Sequence, residues 1–489
     1  MTYSTLLTLW LTTLFSDDSL VARLLYHGHV LLGLVSRFCA QPLTPLATRD
    51  FEHRLQEGLR HLGRDLCDWA FNHLEEGPLP ERLDHEGERY RRRQRSPHHV
   101  ATLFGPVCLR RYLYEAVEPG SPCLFPVEQR LGLVAAAATP ALAERAAWWL
   151  AQRPQAATRA LLARDHGVRW SADTLRKVTA AFATALEVHQ PAAQVEQLLG
   201  WLKKAAASRG RYRPALVAGR DGIHLPLRAG AYREGATATL SVCDRRGRRL
   251  GTVYLGRMPE AGQGTLSAQL TFLLTEVLRR WRGPLPRLAY VTDDGYHPAW
   301  YYRYVLSRLC HPRTGERLLW QRVVDYYHAT LYVQQLAEAL FGDTKQGRAW
   351  ARRMRRRLKE KDGVKRLLQA ATYHCQARQL SGKRRQAFAK AYGYLRRNGK
   401  WMAYWRYRSV GLPIGSGVTE AACKTVFTQR LKQSGMRWEV SSGQVVVTLR
   451  VVLLSNVWEP AVARMLASQT FPWPGVEQVM PPDTMEEAA

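Results

Sequence analysis

The sequence predicts a mixed α+β protein in which a β-sheet core is preceded and interrupted by helical regions. Apolar residues recur at helical spacing before residue 210, strand-like runs cluster between 215 and 325, and a basic helical stretch follows at 331–408. The 489 residues leave room for about three domains. With 46% hydrophobic residues, the chain can bury a sizeable core.

The charge balance indicates a polyanionic partner. The sequence holds 71 Lys and Arg against 41 Asp and Glu, a net charge of +30, and nucleic acid is the common polyanion in a cell. No apolar run reaches the ~20 residues of a membrane span, and the apolar residues 1–16 lack the basic start of a signal peptide. The eight cysteines form no C-x-x-C pair, which argues against a zinc ribbon or a disulfide framework. We therefore expect a cytoplasmic, nucleoid-associated protein without a membrane partner.

Residues 1–95 are predicted to form a helical N-terminal region. Residues 96–190 follow as a DNA-binding region that opens with two short strands, 100–104 and 107–114, around a Gly-Pro turn. A basic cluster, Arg89 to Arg95, lies just before these strands. Two interpretations stay open for it: an arm that contacts DNA, or a solvated loop.

A helix-turn-helix-like unit is predicted at residues 140–186. Its helices are expected at 141–151, 155–165 and 172–185, with a further helix at 190–208. A turn containing Gly167 precedes Ser171, a favourable residue to cap the third helix. That helix would present Arg176 and Lys177 to DNA, although any three-helix bundle gives a similar pattern.

The next region, residues 210–330, changes from helical to strand-like spacing. Strands are expected at 215–218, 223–227, 237–243, 250–255, 287–292 and 322–325, and helices at 265–281 and 299–309. Three antiparallel-looking strands followed by strand–helix–strand is the order of the ribonuclease-H-like fold. A basic helical insertion at 331–410 would interrupt this core, residues 411–460 would complete it with a helix at 418–433, and residues 461–489 would form a loose tail.

Acidic residues follow two of the predicted strands. Asp221 comes before Gly222, and Asp294 comes before Gly295 at the end of the strand 287–292. If these strands are neighbours, both carboxylates lie at one rim of the sheet. Asp293 competes with Asp294 for the second position, and we favour Asp294 because it repeats the Asp-Gly pattern.

A third acid, Glu420, lies in the first turns of a helix entered through a Gly-Ser-Gly loop. Ser416 is its expected cap, and the positive helix start favours the carboxylate. Three carboxylates, Asp221, Asp294 and Glu420, suit Mg²⁺ or Mn²⁺. Two such ions, about 3.5–4 Å apart, would serve an in-line phosphoryl displacement on a phosphodiester. Taken singly, each acid is more often a turn or helix-start residue.

One long segment resembles a known family. Residues 413–424, continuing through 429–438, resemble the catalytic-glutamate helix of insertion-sequence transposases of the ISKra group, in a similarity that spans about residues 100 to 460. Asp221-Gly222 and residues 292–295 resemble the first and second acids of that family. The resemblance implies a DDE transposase that binds terminal inverted repeats and target DNA as a homodimer or larger assembly, and that cleaves and transfers DNA strands.

The resemblance suggests further site residues. Asp325 and His328 are similar to an Asp/Cys-x-x-His motif of related transposases, and a role beside the metals competes with simple helix capping. The expected DNA contacts on the glutamate segment are Lys424, Arg430 and Lys432.

Aromatic residues among the charges of the insertion have two interpretations, base stacking or core packing. They are Trp401, Tyr404, Trp405 and Tyr407. At the level of the whole protein, a purely hydrolytic ribonuclease-H-like nuclease and a non-catalytic DNA-binding protein derived from a transposase remain alternatives.

Overall fold

The computed structural model describes residues 20–75, 79–118, 120–228, 230 and 232–469. Backbone contacts divide the chain into two compact units. Among the described residues, the first unit holds the chain up to 146, 155–182 and 464–469, and the second holds 147–154 and 183–463. The expectations for residues 1–16 and for a tail after 469 lie outside the described residues. The protein is mixed α+β, as predicted.

The first unit combines helices with a small antiparallel sheet. Its elements are α1 (Leu20–Ala40), α2 (Pro45–His73), β1 (Arg82–His85), β2 (Glu88–Thr102), β3 (Gly105–Ala116) and α3 (Pro126–Arg130). The three strands pair in chain order. The two predicted strands are therefore confirmed, but they are longer than expected.

The boundary of the helical N-terminal region at residue 95 is wrong, because residues 82–95 form strands. The basic cluster Arg89 to Arg95 lies on β2 and not in a loop, and its contact with DNA stays a prediction. Its Tyr90 is buried between exposed arginines, which is the alternation of a half-buried strand. Arg93 pairs with Glu115 of β3 at 2.7 Å, so the cluster is partly neutralised across the sheet.

Three helices follow: α4 (Pro140–Gln152), α5 (Gln155–His166) and α6 (Ala172–Ala207). The Ser171 cap is confirmed, since its hydroxyl accepts from the backbone N–H of Thr174 at 3.0 Å. The predicted break between 185 and 190 is wrong, because α6 continues through Pro191. Proline removes one backbone hydrogen bond there, and buried side chains such as Leu186 and Val195 stabilise the helix on both sides of it.

The second unit is built around a five-stranded sheet. Its strands are β4 (Ala215–Pro226), β5 (Tyr232–Cys243), β6 (Arg249–Arg257), β7 (Arg287–Thr292) and β8 (Trp320–Val324). They lie in the order β6-β5-β4-β7-β8; the first three are antiparallel neighbours, and β4, β7 and β8 are parallel. The expectation that the two acid-bearing strands are adjacent is confirmed.

Strand β4 is longer than predicted, and this moves Asp221 from a strand end into a strand. Its parallel pairing with β7 stops at the pair Ala218 and Tyr290, but its pairing with β5 continues to Pro226. Asp221 and the residues after Thr292 therefore both lie just past the paired part of β4 and β7. The long β5 partner explains the extension.

Helices cover the sheet and form the insertion. Helix α7 (Gly264–Arg280) and α8 (Tyr296–Tyr304) flank β7, and the insertion holds α9 (Tyr326–Phe341), α10 (Lys345–Arg357), α11 (Gly363–Ala377), α12 (Gly382–Asn398) and α13 (Tyr404–Ser409). Helix α8 ends before the predicted residue 309, in a short 3-10 turn at Leu306–Arg308. The apolar sides of the insertion helices pack into one core that includes Phe341, Trp350 and Leu395.

The predicted helix at 418–433 is three short pieces. It consists of α14 (Gly417–Ala422), a π-helical turn (Cys423–Thr428) and α15 (Gln429–Leu431). Two further helices, α16 (Val440–Leu454) and α17 (Trp458–Ser468), complete the described chain. Because α17 reaches residue 468, the tail predicted to begin at 461 is wrong for its first residues.

Among the described residues, no single helix has both the length and the apolarity that crossing a bilayer requires. Helices α16 and α17 reach them only when they are taken together, and they are bent by 116° at their junction.

Candidate active site

Asp221 lies on β4 in a partly buried position between other acids. Its Oδ1 accepts from the Gly222 N–H at 2.8 Å, and its Oδ2 accepts from the Cys423 thiol at 3.4 Å. Burial raises the pKa of Asp221 to about 6, and repulsion from Asp293 and Glu420 adds to this rise. Asp293 and Glu420 are thus close enough to Asp221 to oppose its ionisation.

The two neighbouring acids after β7 have different roles. Asp294 has a positive φ of 75°, and its carboxylate forms a buried ion pair with Arg322 of β8 and a hydrogen bond with Asn398. Burial nevertheless raises the pKa of Asp294, because the loss of water outweighs these partners. Asp293 instead repels the negative charge of Asp221 and so adds to the rise in its pKa. The Asp293 Oδ1 accepts from the Gly295 N–H at 3.0 Å. The preference for Asp294 over Asp293 as the second acid is therefore not supported by the geometry.

The backbone around Asp293 is held by the insertion. The hydroxyl of Tyr394 on α12 donates to the Asp293 carbonyl at 3.0 Å. The guanidinium of Arg322 lies 3.8 Å from the centre of the Trp401 ring. Side chains of the insertion thus contact Asp293 and Asp294 directly, and Trp401 contacts Arg322, the ion-pair partner of Asp294.

Glu420 is an exposed side chain on a helix that packs closely on the sheet. The neighbouring Thr419 hydroxyl is hydrogen-bonded to that of Thr239 on β5 at 2.8 Å. A Cβ on Gly219 would lie only 2.2 Å from the Thr419 Oγ1. Since Gly219 and Asp221 are two residues apart on β4, they share a face of the sheet. The glutamate helix therefore lies on the face that carries Asp221.

Ser416 does not cap this helix with its side chain. No hydrogen bond from a helix N–H reaches its hydroxyl, although its carbonyl accepts from the Glu420 N–H at 3.0 Å. The Ser416 hydroxyl donates to Asp325 instead. The expected capping role is corrected to an anchor between the loop before the helix and Asp325.

Asp325 caps α9, and it also holds the loop that leads to Glu420. Its Oδ1 accepts from the N–H groups of Tyr327 and His328, the second at 3.0 Å, and its Oδ2 accepts from the N–H and hydroxyl of Ser416. The side chain is fully buried. Capping and positioning, the two interpretations open for Asp325, thus occur together.

His328 packs among aromatic rings of the insertion. Its ring centre lies 5.5 Å from that of Tyr332 and 5.9 Å from that of Tyr394. Because Tyr394 also binds the Asp293 carbonyl, His328 supports the acid loop through that ring. A role for His328 beside bound metal ions stays a prediction.

The predicted DNA contacts divide into exposed and buried groups. Arg176, Lys177, Lys424 and Lys432 are exposed, although the first two pair with Asp173 at 3.3 and 3.0 Å. Arg430 is buried and donates through Nε to the Leu150 carbonyl at 3.0 Å. The loss of water lowers the pKa of Arg430 to about 10. Arg430 is thus a structural residue that cannot touch DNA in this conformation.

The aromatic residues of the insertion are mostly core residues. The hydroxyls of Tyr404 and Tyr407 donate to the carbonyls of Val324 and Arg322 at 2.9 and 3.0 Å, and both rings are buried. Trp401 lies over Arg322. Trp405 is the most exposed of the four. Core packing therefore explains three of the four rings.

The acids do not form a closed ligand set. Within the described residues, no three Asp, Glu, His or Cys side chains converge closely enough to hold a metal ion. The donor set of Asp221, Asp293 and Glu420 is nevertheless all oxygen, which suits Mg²⁺ or Mn²⁺. Burial and neighbouring acids raise the pKa of Asp221, and a divalent ion would stabilise the charged form of this carboxylate.

Several residues that shape this site were not singled out from the sequence. They are Gly219, Thr419, Cys423 and Arg322. Glycine inside a strand is a known sign of close backbone approach, so Gly219 offered a signal. The roles of Thr419 and Cys423 depend on contacts across 180 residues or more, and that of Arg322 on a contact across 28, and no local pattern marks them. No protein-family model matches this chain, and no curated protein matches it.

Proposed function

We propose that this protein is a DNA transposase of the DDE type, which cleaves DNA strands and joins them to target DNA. The observation that carries the proposal is that Asp293 and Glu420, from distant parts of the chain, lie near enough to Asp221 to oppose its ionisation. Burial raises the pKa of Asp221, and Asp293 and Glu420 both add to this rise. The close packing of Thr419 on Gly219 and Thr239 brings the glutamate helix to the sheet.

The sheet supports the same proposal. Three antiparallel strands followed by two parallel ones, in the order β6-β5-β4-β7-β8, is the arrangement expected of a ribonuclease-H-like core. The first acid lies on the central strand β4 and the second follows its parallel neighbour β7. The insertion between β8 and the glutamate helix corresponds to the helical region expected from the resemblance.

Asp221, Asp293 and Glu420 would hold Mg²⁺ or Mn²⁺ in this proposal. When bound, a pair of such ions activates the attacking oxygen and stabilises the leaving oxygen of a phosphodiester. Other residues of the chain hold these acids in position. Asp325 and Ser416 fix the start of the glutamate helix, and Tyr394 fixes the Asp293 backbone. Strand cleavage by water and attack by the freed 3′-hydroxyl would use the same three acids in turn.

A cleavage and joining assay tests this function. The substrate is a plasmid that carries the DNA flanking the coding region, incubated with Mg²⁺ or Mn²⁺, and a second reaction uses pre-cut ends of the same DNA. We expect the protein to nick the first substrate and to join the second to target DNA. Asp221→Asn, Asp293→Asn and Glu420→Gln should each lower both rates by at least about 100-fold.

The matched control is Asp343→Asn, because Asp343 is an exposed acid of the insertion that pairs with Arg348. It should retain the activity of the unmodified protein. Cleavage without joining would indicate a hydrolytic nuclease instead. Cleavage that persists in EDTA, or in the Asp221→Asn variant, would refute the proposed site.

A further inference from the structure

Four separate stretches of chain meet at the end of the sheet where β4 and β7 begin: residues 208–214, 244–250, 284–288 and 405–412. The Tyr212 N–H donates to the Arg245 carbonyl at 3.0 Å, and the Arg246 Nε donates to the Arg209 carbonyl at 3.1 Å. The first three of these stretches bring together eight arginines, which we call the arginine edge: Arg209, Arg211, Arg213, Arg245, Arg246, Arg248, Arg249 and Arg287. The fourth stretch contains Arg406 and Arg408 as well.

The arginine edge has almost no negative charge to balance it. The four stretches contain a single acid, Asp244. Asp244 is buried, and its Oδ1 accepts from the N–H groups of Arg246 and Arg248, each at 2.8 Å. It is therefore committed to the hairpin turn. In the part of the chain that the structure describes, none of the eight arginines forms an ion pair within 4.0 Å.

Several of these arginines instead donate to neutral oxygens. Arg213 donates to the Leu285 carbonyl at 2.5 Å, and the Arg245 Nε donates to the Tyr212 carbonyl at 3.3 Å. Such bonds orient a guanidinium but leave its charge uncompensated, and its other N–H groups can still bind an anion.

A small cavity lies at the centre of this edge. Its volume is about 310 Å³, and it is lined by Arg211, Tyr212, Arg213, Arg287, Ser409 and Val410. The Nε of Arg287 is buried and has no hydrogen-bond partner. A buried donor without a partner is costly unless a ligand satisfies it. Three guanidinium groups line this cavity, and guanidinium N–H groups are the donors that a phosphate group accepts from.

The arginine edge is remote from the acids. Arg213 lies just before β4, which begins at Ala215, and Asp221 lies six residues further along that strand. At about 3.3 Å per residue, the two sites are about 20 Å apart. This distance is about six base pairs along a duplex at about 3.4 Å each.

We propose that the arginine edge binds the sugar–phosphate backbone of duplex DNA, with one backbone phosphate in the 310 Å³ cavity. This inference rests on the proposed function and deepens it, because it adds a second DNA-binding surface at the end of the sheet opposite the acids. It holds a stretch of DNA that is not being cut. The contacts are to phosphates, so binding there is strongly salt-dependent and independent of sequence.

The test is the salt dependence of DNA binding by the full chain. Fluorescence anisotropy of a labelled 30-base-pair duplex of arbitrary sequence is measured in EDTA between 50 and 300 mM KCl. In the edge variant, Arg211→Gln, Arg213→Gln and Arg246→Gln are combined. Each lost phosphate contact reduces the magnitude of the negative slope of log K against log salt by about 0.9. We therefore expect the slope of the edge variant to be smaller in magnitude by about 2–3.

The control combines Arg164→Gln, Arg279→Gln and Arg280→Gln. These arginines form ion pairs with Asp165, Glu276 and Glu196, respectively. The control therefore changes the net charge as much as the edge variant does, but it removes only arginines that already have an acidic partner. We expect their slope to stay within about 1 of that of the unmodified protein. A second variant, Ser409→Glu, places an acid in the cavity without altering any arginine, and it should lower DNA affinity at least about 5-fold.

Three outcomes would overturn the proposal. The edge variant could keep the unmodified slope, or its slope could fall no more than that of the control. Inorganic phosphate at 10 mM, at matched ionic strength, could bind the unmodified protein but not the edge variant while both bind the duplex equally, which would assign the cavity to free phosphate. The edge could instead bind anionic lipid vesicles with no effect on DNA binding. Because EDTA is present and no cleavage is scored, failure of the cleavage assay would leave this test unaffected.

Discussion

The charge of Asp221 is opposed by its surroundings. Its pKa of about 6 in the folded protein lies above its ordinary value of 3.8. The folded state therefore keeps this proton over a pH range in which the unfolded state has lost it. Stability from this group is present below about pH 4 and is lost as the pH rises through 6. A divalent ion would offset the loss.

Replacement of Asp221 by Asn should accordingly stabilise the metal-free protein above pH 6. Asn keeps the Oδ1 that accepts from Gly222, but it carries no charge. We expect the free energy of unfolding to rise by up to about 3 kcal/mol at pH 7.5 and by much less at pH 4. Urea unfolding at the two pH values measures this difference. Equal effects at both would mean that Asp221 is not under electrostatic strain.

Substitutions of Asp293 and of Asp294 should have different effects on activity and on stability. Asp294→Asn leaves Arg322 buried without its ion pair, which typically costs 3–5 kcal/mol. Asp293→Asn removes only a partly exposed carboxylate, so we expect a stability loss below about 1 kcal/mol together with loss of cleavage. Thermal unfolding and the plasmid assay compare the two variants. An inactive Asp294→Asn protein of unchanged stability would reverse the assignment.

The two oxygens of Asp325 allow a finer test of positioning. Asp325→Asn keeps one acceptor for the α9 N–H groups, but its amide cannot accept from both groups of Ser416. We expect a loss of about 1.5–3 kcal/mol in stability. We also expect kcat to fall while the affinity for DNA is unchanged, because only the glutamate helix moves. A parallel loss of DNA affinity would contradict a positioning role.

Among the elements, the contact between β4 and the glutamate helix is the one on which the site depends. In Gly219→Ala, the new methyl group would lie 2.2 Å from the Thr419 Oγ1 and 3.1 Å from the Val291 carbonyl. The helix must then move away from the sheet and carry Glu420 with it. We expect at least about a 10-fold loss of cleavage, with the fold retained, as measured by the plasmid assay and circular dichroism.

A second substitution provides the control for this prediction. Thr419→Ala removes the atom nearest to the added methyl group, so the double variant Gly219→Ala, Thr419→Ala should recover part of the lost activity. If the double variant is as inactive as Gly219→Ala, the clash with Thr419 is not the cause.

Elements with a strong local pattern could be predicted from the sequence. Strand β7 was predicted with its observed bounds because residues 287–292 form a short apolar run between Pro286 and Asp293. The continuity of α6 through Pro191 and the π-helical turn after Ala422 could not be predicted. Both depend on tertiary packing, which overrides local preference.

The candidate site shows the same division. The sequence indicated the three acidic regions, but it could not distinguish Asp293 from Asp294, because both precede a turn. The distinction comes from Arg322, which lies 28 residues after Asp294 and binds it from the next strand. Arg430 illustrates the converse, since a basic residue within a basic segment is buried against the Leu150 carbonyl.

For the molecule as a whole, the net charge of +30 predicts a polyanionic partner but not where it binds. The structure distributes the cations unevenly. On β2, arginines lie opposite an acid of β3, whereas the arginine edge collects its charges from three stretches with one buried acid. Composition alone could not predict this contrast, because it depends on which distant stretches meet.

Mn²⁺ binding is the most direct test of the central claim that Asp221, Asp293 and Glu420 together hold divalent cations. Electron paramagnetic resonance of free Mn²⁺, titrated into the protein with duplex DNA at pH 7.5, measures the bound fraction. We predict that Asp221→Asn, Asp293→Asn and Glu420→Gln each weaken binding at least about 10-fold, whereas Asp343→Asn does not. Equal Mn²⁺ binding by all four variants, or no specific binding by the unmodified protein, would contradict the account.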